Sequence, residues 1–202
     1  MSEPFFDLRP VDAPEPEPET YVQPAWHQPP PAVLPGRVLV DGIVHRDDAL
    51  LIWVREVARY EEGVSISLRW ARRRRPGESM RDWNSFVHAR MGWGLGGAEG
   101  DELRLGVQLP GGRKLIAGGG GPGQEAGPGE PTPPTISMYG GGGGGGLDLH
   151  EQNVEVWLWS PGALPRSFEL VIAWAALGVP ESRFVVSADM LAGALHPRPF
   201  WD

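Results

Sequence analysis

Alternation of apolar and polar residues marks the last third of the chain. Residues 154–159 and 168–174 each place apolar side chains at every second position, and a third β-rich run covers residues 183–187. Pro161-Gly162 and Gly178 separate the three runs. A period of two is typical of strands with one buried face, and Pro and Gly favour turns between them. This part of the chain therefore predicts an antiparallel sheet.

Three earlier segments show the same kind of pattern. Residues 49–54 and 64–70 flank a turn at residues 61–63, which predicts a hairpin. Asp41-Gly42 is a strong two-residue hairpin signal and predicts a turn between residues 37–40 and 43–45. Residues 101–117 predict strand, turn and strand around residues 110–112.

Two segments follow a different period. Met80, Trp83, Val87 and Met91 are spaced by three and four residues, which predicts a short helix over 76–91, although residues 86–90 also fit a strand. Residues 188–195 predict a C-terminal helix that begins at Ser187 or Asp189 and is ended by Pro197 and Pro199.

These elements predict a mainly β fold, an antiparallel β-sandwich of about eight strands with a short C-terminal helix, in one domain over 36–202. Residues 1–35 hold 10 prolines and six acids, which predicts a disordered acidic tail. A Gly/Pro-rich insertion at 118–146 is expected to be mobile. The seven glycines at 140–146 are interpreted as flexible, the alternative being a packed run that lets another backbone or a ligand approach closely.

Charge and composition exclude several classes of function. The chain has no cysteine, so it has no disulfide framework and no thiolate nucleophile. Its net charge of −8 argues against nucleic-acid binding. The first residues lack a signal sequence, and no apolar run is long enough to span a bilayer. We therefore expect a cytoplasmic protein without a membrane span.

Two groups of residues are candidates for contact with a protein partner. The aromatic residues of the tail form either short docking motifs or a cover for a sheet edge. The four arginines after residue 71 form either a grip for an acidic partner or a solvated charge run at the end of a strand. The partner-binding candidates are Phe5, Phe6, Trp26, Arg72, Arg73, Arg74 and Arg75.

Trp157 and Trp159 lie two residues apart, on one face of a predicted strand. Exposed, this pair would offer a stacking platform for sugar rings or for an apolar partner. Buried, the two indoles would belong to the core against the opposing sheet, which is the interpretation we favour.

Catalytic motifs give little support to an enzyme. Residues 92–97 and 118–123 match G-x-G-x-x-G without the preceding strand and following helix that a dinucleotide site needs. The histidines show no metal-ligand spacing, so the sequence predicts neither a metal nor a cofactor. A hydrolase with His45, Asp47 or His150 as acid or base, under the glycine-rich loops, is the enzymatic alternative.

One resemblance covers roughly the C-terminal half of the chain. It rests on the glycine tract, Trp157-Leu-Trp159, Pro161-Gly162, Phe168-Glu169, Trp174, residues 178–183 and the hairpin over 103–114. This pattern resembles one in uncharacterised proteins of high-GC actinobacteria, which implies a bacterial intracellular source and no particular activity. We therefore expect a non-enzymatic protein-interaction or structural module, with a hydrolase or a small-ligand or carbohydrate-binding sandwich as alternatives.

Overall fold

Two antiparallel sheets pack against each other in the computed structural model, which describes residues 23–89, 102–117 and 130–201. The strands of this described part are β1 (Val33–Leu34), β2 (Gly36–Arg46), β3 (Leu50–Arg59), β4 (Gly63–Arg73), β5 (Arg104–Gln108), β6 (Lys114–Ile116), β7 (Thr135–Gly145), β8 (Leu149–Trp159), β9 (Phe168–Trp174), β10 (Val179–Val186) and β11 (Arg198–Pro199). The helices are α1 (Met80–His88) and α2 (Ala188–Gly193), and a 3₁₀ turn covers Ala175–Leu177. The prediction of a mainly β, antiparallel fold with a short C-terminal helix is confirmed.

The larger sheet has five strands in the order β2-β3-β4-β8-β7, and the smaller has four in the order β10-β9-β5-β6. A separate two-stranded ribbon joins β1 to β11. The predicted hairpins over β3–β4 and β5–β6 are present, and residues 154–159, 168–174 and 183–186 lie in β8, β9 and β10.

The main core lies between the inner faces of the two sheets. Alternate residues of β4 and β9 point into it, as the period of two predicts, and Leu68, Trp70, Leu170, Ile172 and Trp174 are each at most 1% exposed. The rings of Trp70 and Trp174 meet edge to face across the sandwich, with 5.1 Å between centroids. Burying side chains of this size stabilises a fold by about 1.5–3 kcal/mol each.

The predicted turn at Asp41-Gly42 is wrong, because β2 runs through it to Arg46. The pairing of β2 with β3 shifts register between Leu39 and Gly42, so this segment forms an irregularity within the strand rather than a turn. A Cβ at Gly42 would meet the Phe184 ring at 2.1 Å. The chain turns at Asp47 instead. The Asp47 carboxylate accepts hydrogen bonds from the backbone N–H groups of Ala49 and Leu50, at 2.6 and 2.7 Å, and so holds the turn.

Residues 80–88 form a helix, so the helical interpretation of segment 76–91 is the correct one. Ser79 caps it by accepting a hydrogen bond from the Asp82 N–H, at 3.1 Å. The buried face differs from the predicted stripe, because Met80 is 38% exposed while Trp83 is buried and stacks on Phe86. Met91 lies outside the described residues.

The described part of the glycine tract belongs to a strand. Gly140–Gly145 continue β7 and pair with β8 along the edge of the five-stranded sheet. A Cβ at Gly143 would lie 2.4 Å from the Glu151 carbonyl oxygen, whereas one at Gly142 would meet nothing within 4 Å. Residues 118–129 of the predicted insertion lie outside the described residues.

Candidate functional site

A row of polar residues crosses the face of the five-stranded sheet that points away from the core. Glu56 of β3 pairs with Ser67 of β4, Ser67 pairs with Glu155 of β8, and Glu155 pairs with Gly140 of β7. Directly paired residues of antiparallel strands point to the same face. We call these four residues the central row and this face of the sheet the outer face.

Irregularities in strand pairing border the central row on both sides. The β3–β4 register shifts between Val54 and Glu56, which leaves Arg55 as the extra residue. The β7–β8 register shifts between Met138 and Gly140, which leaves Tyr139 as the extra residue. Bulges of this kind re-aim a side chain and occur frequently beside binding and catalytic sites. Here they add Arg55 and Tyr139 to the surroundings of the central row.

Glu56, Ser67 and Glu155 of the central row line a groove with a volume of about 340 Å³. Its lining is polar except for Leu39 and Ala58. The lining residues come mainly from β2, β3, β4, β7 and β8. The lining residues are Arg37, Leu39, Arg55, Glu56, Ala58, Tyr60, Ser65, Ser67, Tyr139 and Glu155.

Hydrogen bonds fix several of the groove side chains. The Ser67 hydroxyl donates to Oε1 of Glu155 at 2.9 Å. The hydroxyls of Ser65 and Tyr139 share a hydrogen bond of 2.7 Å. These contacts join β4 to β8 and to β7, so the polar side chains of the groove are held in place before any ligand arrives.

Burial sets the protonation behaviour of the groove. It raises the pKa of Glu155 above its ordinary value, against the hydrogen bond from Ser67, and the neighbouring Glu56 adds to the rise. Burial also raises the pKa of Tyr60, and it raises the pKa of Tyr139 to about 12. Both phenols therefore stay neutral hydrogen-bonding groups at physiological pH.

Residues 23–32, which we call the strap, cover one end of the outer face. Trp26 packs on Trp159 with 5.9 Å between ring centroids. The Trp157 indole N–H donates to the Ala25 carbonyl at 2.8 Å, and the Ser137 hydroxyl lies within hydrogen-bond distance of strap carbonyls. From residue 23 onward, the predicted tail over 1–35 therefore contacts the domain and includes β1.

The strap changes the interpretation of both tryptophans of β8. Trp157 is 0% and Trp159 3% exposed, so neither offers a stacking platform in this structure. They do not face the opposing sheet either, since they join Ala58 and Tyr60 in a second cluster on the outer face. The period of two places them correctly on one face of β8, but no local signal shows that the strap covers that face.

The arginine run is mostly engaged by the protein itself. Arg72 is 5% exposed, pairs with Glu78 at 2.7 Å and places its guanidinium carbon 4.2 Å from the Phe86 ring centre. Arg73 donates to the Asp48 carbonyl, and Arg74 lies 3.0 Å from a carboxylate oxygen of Asp148. Arg75 is exposed.

The other candidates from the sequence do not come together into a site. Phe5 and Phe6 lie outside the described residues. His45 lies 3.4 Å from Asp47 at the β2–β3 turn, where the carboxylate already holds the backbone. His150 is buried on the inner side of the sheet against Trp70. It stands three strands from β2, about 14 Å away, so it does not join His45 and Asp47 in one site.

Comparison with protein-family models, curated proteins and solved structures gives no significant match for this chain. In the described ranges, no helix is long and apolar enough to cross a membrane. The same ranges contain no cluster of three or more histidines and acids that could hold a metal ion.

The sequence carried a partial signal for the groove. The apolar and polar residues of β4 and β8 alternate, and the polar positions include Ser65, Ser67 and Glu155. Such positions normally face solvent. Only the register between the strands, set by residues about 90 positions apart, brings them together in one row.

Proposed function

We propose that this protein is a non-enzymatic β-sandwich binding module that holds a small polar ligand in the groove of the outer face. The observation that carries this proposal is the convergence of Glu56, Ser67, Glu155, Arg55 and Tyr139 in one concave site of about 340 Å³. This volume falls within the range of small-molecule sites.

The composition of the groove favours binding over catalysis. Its lining offers carboxylates, guanidinium groups and neutral hydroxyls, which recognise polar groups by charge and hydrogen bonding. A serine nucleophile is most often activated by a histidine beside it. The described lining contains no histidine; Ser65 bonds the phenol of Tyr139, and Ser67 donates to the Glu155 carboxylate.

A thermal-shift screen with a library of small polar compounds tests this proposal. Compounds that bind the groove should raise the Tm of the wild-type protein and of Ser85→Tyr, a control on the exposed face of α1. They should not raise the Tm of Ser67→Tyr, in which the new ring fills the groove floor. A library without a single stabilising compound, or equal shifts in Ser67→Tyr, would contradict the proposal.

A pair of exposed aromatic residues near the end of the chain supports the protein-interaction hypothesis from the sequence. Phe200 and Trp201 follow β11, meet edge to face at 5.6 Å, and are 48% and 77% exposed. Exposed aromatic side chains that lie together favour contact with another protein. Under this second proposal, Trp201→Ser should release copurifying proteins, and Ile116→Ser, which changes an equally exposed residue of β6, should retain them.

A further inference from the structure

The charges of the groove are balanced in number but not in pairing. Two arginines and two glutamates line it. Arg37 and Glu56 satisfy each other, with 3.6 Å between a guanidinium nitrogen and a carboxylate oxygen. Among the residues that the structure describes, the side chain of Arg55 forms no ion pair or hydrogen bond, and Glu155 forms no salt bridge. One positive and one negative group therefore remain for a ligand.

Glu155 has a particular need for a cationic partner. Its carboxylate is partly buried, and its contact with the Ser67 hydroxyl is a hydrogen bond to a neutral group. Removing a carboxylate from water is unfavourable, and the nearby Glu56 adds repulsion; the charges of Arg55 and Arg37 oppose these effects without cancelling them. An ammonium group beside Glu155 would relieve both effects.

Arg55 lies where it can complement a second ligand group. It is the extra residue of the β3 bulge and is adjacent to Glu56 of the central row. It is exposed, and its charge acts favourably on the ionised carboxyl of Glu155. A guanidinium recognises a carboxylate well because two parallel N–H groups match two oxygens.

We propose that the groove binds a small zwitterion, a free amino acid, with its ammonium group at Glu155 and its carboxylate at Arg55. This inference rests on the proposed function and specifies its ligand class. A ligand with only an ammonium group would leave Arg55 unpaired, and a ligand with only a carboxylate would face two glutamates. The volume of the groove limits the ligand to a small molecule.

Isothermal titration calorimetry of the full chain with the common L-amino acids tests this inference. At least one of them should bind, and its amide and its N-acetyl derivative should each bind about 10-fold or more weakly, because each lacks one of the two charges. Equal affinity for the three forms, or no binding by any free amino acid, would overturn the inference.

Two variants with matched controls assign the charges to residues. Glu155→Gln and Arg55→Gln should each weaken amino-acid binding about 10-fold or more. Glu61→Gln and Arg166→Gln remove equally charged but exposed residues outside the groove lining and should leave the affinity unchanged. Equal affinity in all four variants would contradict the assignment, and a circular dichroism spectrum of each variant checks that it is folded.

The two proposals fail in different ways. If a neutral compound from the thermal-shift screen binds the wild type, is blocked by Ser67→Tyr, and tolerates Glu155→Gln and Arg55→Gln, the groove is a binding site and the zwitterion inference is wrong. If Ser67→Tyr does not affect the binding of any compound, the groove proposal itself is wrong.

Discussion

At the scale of single residues, Glu155 combines partial burial with a position between opposite charges. Its pKa is raised by burial, so the folded protein holds this proton more tightly than the unfolded chain. The sign follows from proton linkage: above the ordinary pKa of 4.5, the folded state binds more protons than the unfolded state. The contribution of Glu155 to stability therefore falls as pH rises from about this value through the raised pKa.

Glu155→Gln should remove this decline. We expect the free energy of unfolding of the variant, minus that of the wild type, to increase with pH from about the ordinary pKa of 4.5 and then to level off above the raised pKa. Urea unfolding at a series of pH values measures it. A parallel pH dependence of the two proteins would show that Glu155 titrates normally, and Glu61→Gln serves as the control.

Asp47 and Glu78 make stability depend on pH in the opposite direction to Glu155. Although burial alone would raise each pKa, hydrogen bonds from backbone N–H groups and from His45 or Arg72 lower both below their ordinary values. Their contribution to stability is present above the ordinary pKa and is lost as pH falls through the lowered pKa. We therefore expect Asp47→Asn to reduce the acid sensitivity of the fold, measured by urea unfolding as pH is lowered toward 3.

Arg72 and Arg75 belong to one run of arginines but should respond differently to mutation. Arg72→Ala removes a buried partner of Glu78 and the contact with the Phe86 ring, which should cost about 3 kcal/mol in the free energy of unfolding. Arg75→Ala removes an exposed side chain and should change it by less than about 0.5 kcal/mol. Equal losses in chemical denaturation would contradict the structural role of Arg72.

At the scale of elements, β7 shows why a strand without side chains can be specific. Glycines that pair with inner-face residues of β8 approach its backbone too closely for a Cβ, whereas Gly142 and Gly144 on the outer face have open space. Gly140, also on the outer face, is crowded by the Glu155 side chain, which a Cβ would meet at 3.1 Å. Every second position, at Gly141, Gly143 and Gly145, therefore requires glycine because the β8 backbone leaves no room for a Cβ. The period of two typical of a strand is thus present in these backbone distances, although the sequence itself is uniform.

Substituting neighbouring glycines tests this alternation. Gly143→Ala should lower the free energy of unfolding by about 1–3 kcal/mol, because its Cβ would meet the Glu151 carbonyl. Gly142→Ala should leave stability unchanged or raise it by up to about 1 kcal/mol, since a Cβ there meets nothing and the unfolded chain loses freedom. Thermal and chemical denaturation would measure both, and similar losses at the two positions would contradict the register of β7.

Prediction of elements from sequence succeeded where side chains supply a pattern. The alternation Val64, Ile66, Leu68 and Trp70 is sufficient to identify β4, and it is confirmed by their burial. The glycine tract has no side chains that could alternate, so only its pairing with β8 identifies it as a strand. Asp41-Gly42 was misjudged because a local turn preference was overridden by the packing of Phe184 on Gly42.

At the scale of the whole molecule, the strap joins residues 23–32 to strands far along the chain. Replacing Trp26 by Ala should lower the free energy of unfolding by about 1–3 kcal/mol, because the cluster around Trp159 loses a half-buried indole. The same change should speed hydrogen exchange at the Trp157 indole N–H, which donates to Ala25. Trp201→Ala, at an exposed site, is the control for this NMR measurement.

The candidate site depends on long-range assembly, which limits what sequence alone can give. The tryptophans of β8 and the arginine run drew attention because they are unusual locally, but the strap covers both tryptophans and α1 packs on Arg72. Glu56, Ser67 and Glu155 are ordinary residues in alternating strands. They become a groove only through the pairing of three strands and the two bulges beside them.

The most direct test of the groove is a two-dimensional ¹H–¹⁵N NMR titration of the full chain with the tightest-binding amino acid. We expect chemical-shift changes concentrated at Arg55, the central row and Tyr139, and absent at the exposed residues Arg198, Phe200 and Trp201. Shifts confined to another surface, with the central row unchanged at ligand saturation, would contradict the account.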